Sequence, residues 1–286
     1  MLGNLAVNIL YDMAGLIMVS LGLSIIFGMM GVINMAHGEF IMLGAFTAVL
    51  AVQTGLPLWA GILAAPAFTG AAGIVTERLL IRRLYGRRIE STLLVTFGLS
   101  LILQQTMTLQ AGSSPRGIAT PLGSVHAGRY AIGWYSIVLI IAAPGLVGLV
   151  LLVFRRTRYG LLARATMQNR DMAGDLGVDT ARVNALTFGL GAALAGVAGA
   201  FLAPVLAVVP TMGVPLISSA FISVVLAGPA VVTGMVAAAG LLGAVRQVVS
   251  LASTPLLGTA ALLATATVIL RLLPDGISGR FRKATL

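Results

Sequence analysis

The sequence predicts an all-α polytopic membrane protein. Of its 286 residues, 58% are hydrophobic and only 9% are charged, whereas soluble domains carry about 25% charged residues. Runs of about 20 apolar residues recur from end to end, and each can cross a hydrocarbon core of about 30 Å. The series of short alternating strands that a membrane β-barrel requires is not seen.

The distribution of positive charge predicts the topology. Fifteen of the 18 lysines and arginines fall in three patches beside apolar runs, at 78–88, 155–182 and 271–283. The positive-inside rule assigns these patches to the cytoplasm, and the loop 110–133 with its two arginines to the exterior. The first span therefore starts outside. Since topology and lipid headgroups account for the net charge of +10, we expect no nucleic-acid partner.

The apolar runs give eight or nine crossings in one transmembrane domain, 1–286. The uncertainty in the number lies in two runs that are interrupted, one in each half of the chain. The predicted spans are 7–28, 31–52, 56–76, 92–109, 137–154, 183–209, 216–227, 231–251 and 256–273.

The two interrupted stretches are 31–44 and 216–234, the second containing Gly228-Pro229. A broken hydrophobic segment at a similar place in each half is typical of transporters built from an inverted internal repeat, with the pathway where the breaks meet. The alternative is that glycine and proline are simply frequent in membrane helices.

Polar residues inside the first broken stretch are candidates for the translocation path. Since polar groups in hydrocarbon are expensive, they should face the bundle interior or a cavity. We expect Ile41 to share a helical face with three of them, at positions i, i+3, i+4 and i+7. The alternative role is to hydrogen-bond the frayed backbone of a helix break. The four candidates are Asn34, His37, Gly38 and Glu39.

Thr96 and Gln104 in the fourth span are further path candidates, with interhelical hydrogen bonding as the alternative. One histidine, one glutamate and one asparagine do not make an adequate metal site, and the chain has no cysteine. No nucleophile and base can be paired. We therefore expect neither a metal site nor an enzyme.

Small residues recur every fourth position in the sixth span, in two parallel stripes. Such small-xxx-small surfaces let helix backbones approach closely. We expect core packing within the chain, with a dimer face as the alternative. The stripes are Gly191, Ala195 and Gly199, and Ala192, Gly196 and Ala200.

The polar segment, residues 155–182, interrupts the hydrocarbon with six arginines and three of the eight acids. Its stretch 160–177 has a helical register, with apolar residues on one side and aspartates on another, and Gly177 as a C-terminal stop. It could dock in a groove on a cytoplasmic partner or lie solvated at the headgroups. The apolar side is Leu161, Ala165, Met172 and Leu176; the aspartates are Asp171, Asp175 and Asp179.

The chain lacks the P-loop motif for binding ATP. The P-loop pattern G-x-x-x-x-G-K-[ST] needs a lysine, and Lys283, the single lysine, is followed by Ala284. We therefore expect no cofactor in this chain and ATP bound by a partner. The alternative is a self-sufficient channel or ion-coupled carrier that uses Glu39 or His37.

Two runs resemble a known family. FGMMGVINMAHGEFIMLGAF at 27–46 and YGLLARATMQNRDMAGDLGVDTARVNALTFGLGAALAGVAG at 159–199 are similar to the permeases of bacterial ABC importers for branched-chain amino acids, urea and related amides. The resemblance implies a passive, multi-pass subunit of the inner membrane. It also implies a homologous second permease, two cytoplasmic ATPases, an exterior solute-binding protein and surrounding lipid as partners.

The resemblance assigns the polar segment to ATPase coupling. INMAHGEF, LYGRRIESTLLVTFGLSLILQQ and ATMQNRDMA look closer to the urea and amide branch, which puts urea or a short amide first and a branched-chain amino acid second. One departure is VLAGPAVVTG at 225–234, where the family has V-L-G-G-x-G-x-x-x-G. The coupling candidates are Gly160, Arg164, Ala165, Met172, Ala173, Asp175 and Gly177.

Overall fold

The chain folds into twelve α-helices, a 3₁₀ turn and one β-hairpin within residues 2–121, 123–127, 130–228, 231–274 and 276–283, which the computed structural model describes. The 3₁₀ turn is Ile81–Leu84, and the antiparallel strands are β1 Ser124–Ala127 and β2 Tyr130–Gly133. The helices are α1 Leu2–Met30, α2 His37–Gln53, α3 Leu58–Leu79, α4 Ile89–Ala111, α5 Trp134–Arg156, α6 Arg158–Gln168, α7 Arg170–Asp175, α8 Thr180–Leu202, α9 Gly213–Ala227, α10 Val231–Ala252, α11 Pro255–Leu272 and α12 Gly276–Lys283.

Seven helices of the described residues are long and apolar enough to cross a membrane, which confirms the predicted class. The apolar helices α2 and α9 are shorter, with 17 and 15 residues. At 1.5 Å per residue they measure roughly 26 and 23 Å, less than a hydrocarbon core of about 30 Å. The total of eight or nine crossings therefore stays a prediction.

Helix α8 lies at the centre, against α1, α2 and α3. Its first glycine stripe faces α1 and α2: a Cβ added to Gly199 would lie 1.8 Å from the Ile41 carbonyl oxygen, and one on Gly191 would lie 2.5 Å from Ile26 Cγ1. Its second stripe faces α3, where a Cβ on Gly196 would lie 2.1 Å from Thr69 Oγ1. The stripes are therefore core packing, as predicted.

Both predicted breaks are present. The first follows α1, where Gly31 has φ +64° and residues 32–36 are not helical. The second follows α9, where Gly228 has φ +76°. The departure at Pro229 lies outside the described residues. The short helices begin against each other, because a Cβ on Gly38 would lie 2.4 Å from the Gly213 carbonyl oxygen. The inverted repeat itself stays a prediction.

The sixth span is shorter than predicted. Helix α8 ends at Leu202 rather than at residue 209, and residues 203–212 are non-helical. Pro204 explains the difference, since proline has no N–H to continue the helical ladder. Val208 in this connection exchanges two backbone hydrogen bonds of 3.0 Å with Arg116 of the long loop after α4. That loop also carries the β-hairpin, which was not predicted.

Substituting Gly199 with alanine should destabilise the protein, because the new methyl group would overlap the backbone of α2. Overpacking of this kind costs about 1–3 kcal/mol. The matched control is Gly148→Ala in α5, where no atom lies within 4 Å of the added Cβ and stability should change by less than about 1 kcal/mol. Thermal unfolding of the purified chain in detergent measures both. Equal unfolding temperatures for the two variants would contradict the close packing.

Candidate functional site

Asn34 organises the first break. Its Oδ1 accepts from the Ala36 N–H at 3.1 Å, and its backbone oxygen accepts from the His37 N–H at 3.2 Å. Asparagine competes with helical hydrogen bonding in this way and favours turns. Because α2 starts only at His37, the predicted helical face shared by Asn34, His37, Gly38 and Ile41 is wrong for Asn34.

The break is tied to two neighbouring helices. His37 Nε2 lies 3.1 Å from the Val19 carbonyl oxygen in α1, and Glu39 Oε1 accepts from Ser100 Oγ in α4 at 3.0 Å. Thr96 Oγ1 in α4 accepts from the Met35 N–H at 3.1 Å. The predicted candidates Asn34, His37, Glu39 and Thr96 thus meet at one place between α1, α2 and α4.

This cluster retains unused hydrogen-bonding capacity. Asn34 Nδ2, His37 Nδ1 and Glu39 Oε2 are buried and have no hydrogen-bond partner among the described residues. The three side chains are at most 1% exposed. Gly38, beside them in the sequence, packs directly on Gly213, so α2 and α9 are in close contact next to the cluster.

Gln104 lies apart from the break. It is half-buried in α4, one helical turn beyond Ser100 and therefore on the same face as Thr96. It extends this polar face towards the predicted exterior. Both roles considered for it, path lining and interhelical hydrogen bonding, stay predictions.

The polar segment forms two helices, α6 and α7, so the single helix expected over 160–177 is wrong. The break is at Asn169, with φ −154° and ψ 105°, whose side chain caps α7 by accepting from the Met172 N–H at 3.0 Å. Thr157 and Asp179 cap α6 and α8 in the same way. Gly177 has φ +85° directly after α7, so the predicted stop is confirmed.

Three of the coupling candidates contact or are buried against the rest of the protein. A Cβ on Gly160 would lie 2.3 Å from the Phe154 carbonyl oxygen at the end of α5, and Arg164 Nη1 donates to that same oxygen. Ala173 is buried at 3% exposure, while Ala165 is half-buried. Gly160, Arg164 and Ala173 therefore fix α6 and α7 in place.

The other side of the polar segment faces outward. Leu161, Met172 and Leu176 are 61%, 56% and 79% exposed, and Asp175 and Gly177 are exposed beside them. Large apolar side chains exposed outside the membrane spans, rimmed by charge, mark a surface for another protein. Both roles considered for the segment, docking on a cytoplasmic partner and lying solvated at the headgroups, stay predictions.

A contact between the loop after α3 and the polar segment was missed from the sequence. Buried Glu77 accepts from the Tyr85 hydroxyl at 2.9 Å and from Arg82 Nη2 at 3.4 Å. The Arg170 guanidinium lies 4.3 Å above the Tyr85 ring, a cation–π contact. Burial raises the pKa of Tyr85 above its ordinary value, so it stays a hydrogen-bond donor. The sequence signal that could have indicated this contact is Glu77, a single acid at the end of an apolar span.

Thr96→Val should destabilise the protein, because the Met35 N–H loses its hydroxyl partner at the break. A buried donor left without a partner costs about 1–3 kcal/mol. Thr106→Val in the same helix is the matched control, since that exposed hydroxyl bonds only the Ile102 carbonyl one turn earlier. Chemical unfolding of the purified chain compares them. If both variants unfold at the same denaturant concentration, Thr96 does not hold the break.

Comparison with known proteins places this geometry in a family. The family model described as the permease component of the branched-chain amino acid transport system matches residues 5–272. The high-affinity branched-chain amino acid permease LivH of Escherichia coli K12 is 28% identical, covering 92% of this chain and 91% of LivH. BraD of Pseudomonas aeruginosa is 30% identical over 79% of each chain.

A third relative, the probable branched-chain amino acid permease LivH of Methanocaldococcus jannaschii, is 25% identical over 74% of this chain and 70% of its own length. No solved structure matches the chain. The family model and the membrane-spanning helices agree with the resemblance found in the sequence. The chain belongs to the family of permease components of branched-chain amino acid transport systems and is a multi-pass protein of the inner membrane.

Proposed function

We propose that this chain is the membrane-spanning subunit of an ATP-driven ABC importer of branched-chain amino acids. The observation that carries the proposal is the match to the permease family over 5–272. The named relatives, LivH and BraD, are described as branched-chain amino acid permeases. They give no support to the preference for urea or a short amide drawn from the sequence, so the amino acid takes first place.

The polar segment is the part that would receive force from an ATPase. Its exposed side chains Met172 and Leu176 supply an apolar contact, and Asp175 supplies charge beside it. Its inner side is anchored to α5 through the Phe154 carbonyl. A push on α7 would therefore be passed to the membrane helices rather than absorbed by a loose loop.

The partners follow from this role. Two cytoplasmic ATPases would bind and hydrolyse ATP, because this chain has no P-loop and no cofactor is expected in it. A homologous second permease would complete the translocation path, and an exterior solute-binding protein would deliver the amino acid. The family match is the support for this assembly.

Exchanging Met172 and Leu176 for serine together should weaken docking of the ATPase. Both side chains are more than half exposed, so the fold should tolerate the change. Central apolar contacts at an interface cost more than about 1 kcal/mol each when removed, which predicts at least a roughly tenfold loss of affinity for the pair. Co-purification of the ATPase and stimulated ATP hydrolysis measure the effect.

The control for this experiment is Leu109→Ser, at the predicted exterior end of α4, where the side chain is 78% exposed. It removes a similarly exposed leucine on the side that no cytoplasmic protein can reach. Docking that survives both the double substitution and Asp175→Asn would show that the polar segment does not couple this chain to an ATPase.

Leucine uptake into liposomes should require the whole assembly: this chain, its permease partner, the ATPases and the binding protein. Excess urea or acetamide should not compete with leucine. The control is an ATPase whose P-loop lysine is replaced, because that lysine contacts the transferred phosphates. Solute uptake by this chain alone would instead identify a self-sufficient channel or carrier, and competition by urea would restore the amide reading.

A further inference from the structure

A cavity of about 180 Å³ lies between α1, α8, α9 and α10 and holds an ion pair. One water molecule needs roughly 10–15 Å³ of such volume, so the cavity has room for more than a single water. Asp12 lies seven residues after the start of the first span and Arg246 six residues before the end of α10. At 1.5 Å per residue, each lies roughly 10 Å along its helix from the end on the predicted exterior side.

The ion pair joins helices that are far apart in sequence. Arg246 Nε donates to Asp12 Oδ2 at 2.8 Å, and Arg246 Nη2 donates to Asp12 Oδ1 at 2.5 Å. The side chains are 26% and 14% exposed, and both line the cavity. Ionisable residues within membrane spans are expensive and mark solute or ion pathways.

The rest of the cavity wall is largely apolar. Leu16, Leu202, Leu206 and Leu216 line it together with Val19. The lining also includes the hydroxyl-bearing side chains of Tyr11 and Ser219. One anion and one cation beside mainly aliphatic walls are complementary to an aliphatic amino acid, whose ammonium and carboxylate are separated by a single carbon. Urea can hydrogen-bond to both groups, but it carries no charge to replace either partner of the ion pair.

The cavity also ends beside the helix break. Val19 lines it, and the Val19 carbonyl oxygen lies 3.1 Å from His37 Nε2. The cavity therefore adjoins the break, where the two short helices begin against each other.

We propose that this cavity is a transient binding site for the zwitterionic head group of an aliphatic amino acid. Arg246 receives the carboxylate, for which the planar guanidinium fork is suited, and Asp12 receives the ammonium group. One ion pair within the protein is exchanged for two with the solute, while the leucine and valine side chains contact the aliphatic part. This site rests on the proposed function, import of amino acids.

Cysteine protection tests the site, because the chain has no cysteine of its own. Ser219→Cys places a thiol on the cavity wall. Ser218→Cys is the matched control, since Ser218 is exposed and lines a different pocket with Met35 and Ile217. The assembled transporter in nanodiscs is treated with a methanethiosulfonate reagent, and modification of this chain is followed by mass spectrometry.

Leucine at ten times its Kd should slow labelling of the Ser219→Cys chain about tenfold, by occupancy alone, and leave the Ser218→Cys chain unchanged. Two leucine analogues each lack one charged group: 4-methylpentanoate lacks the ammonium group and isoamylamine lacks the carboxylate. At the same concentration as leucine, both should protect the thiol only weakly. Asp12→Asn and Arg246→Lys in the Ser219→Cys chain should each require at least about ten times more leucine, since a hydrogen-bonded charge is lost or a bidentate contact broken.

Three results would overturn the site. Equal protection by urea and leucine would contradict both the zwitterion site and the proposed import of amino acids. No protection by leucine, while ATP-driven leucine uptake persists, would remove this site and leave the proposed function standing. If leucine protects a folded Asp12→Asn or Arg246→Lys chain as well as the unaltered chain, the ion pair only holds α1 against α10 and does not bind the solute. If Asp12→Asn fails to fold, the two leucine analogues test the unaltered pair.

Discussion

The fold depends on close backbone contact between α8 and the helices around it. Lipid tails are as apolar as leucine, so hydrophobic burial alone does not hold membrane helices together, and small residues that permit close packing take its place. Gly191, Gly196 and Gly199 leave no room for a Cβ against α1, α3 and α2 respectively. These contacts fix the depth of α2, and with it the position of the break, which is where the polar candidates gather.

The same helix connects the membrane core to the polar segment. Asp179 caps the start of α8 directly after Gly177 ends the α7 turn, so the segment runs into α8 without a flexible linker. At its other end the segment is held to α5 by Gly160 and Arg164 at the Phe154 carbonyl. In the proposed importer, a displacement of α6 and α7 would therefore act on two membrane helices at once, and through the glycine contacts of α8 on α1, α2 and α3.

Local signals in the sequence predicted local features correctly. Apolar run length found the spans, small residues at every fourth position found the packing face of α8, and Gly177 was recognised as a stop because glycine tolerates positive φ. The helix boundary at Asn169 and the end of α8 before Pro204 were also readable, as a cap and a breaker. At both places helical periodicity or apolar length continues past the boundary and predicts a longer helix than the protein forms.

Long-range pairing could not be predicted in this way. Asp12 and Arg246 are 234 positions apart, and no sequence pattern around either residue identifies the other as its partner. Glu77 and Arg170 likewise meet only through the Tyr85 ring and hydroxyl. The partner of Arg164 also escaped prediction. The residue is exposed, as expected for a charge in a polar segment, and its guanidinium also donates to a carbonyl that the end of α5 leaves free.

The two roles considered for the break cluster belong to two positions of the short helices. When Gly38 packs on Gly213, the break is held by the hydrogen bond between His37 and α1 and by the one that Glu39 accepts from α4. If α2 and α9 separated, the buried Asn34 Nδ2, His37 Nδ1 and Glu39 Oε2 would become available to a solute in the path. Their unused capacity is a cost in the closed position, where buried polar atoms lack partners. A solute with donors and acceptors of its own would remove that cost on passing, which would favour the open position while the path is occupied.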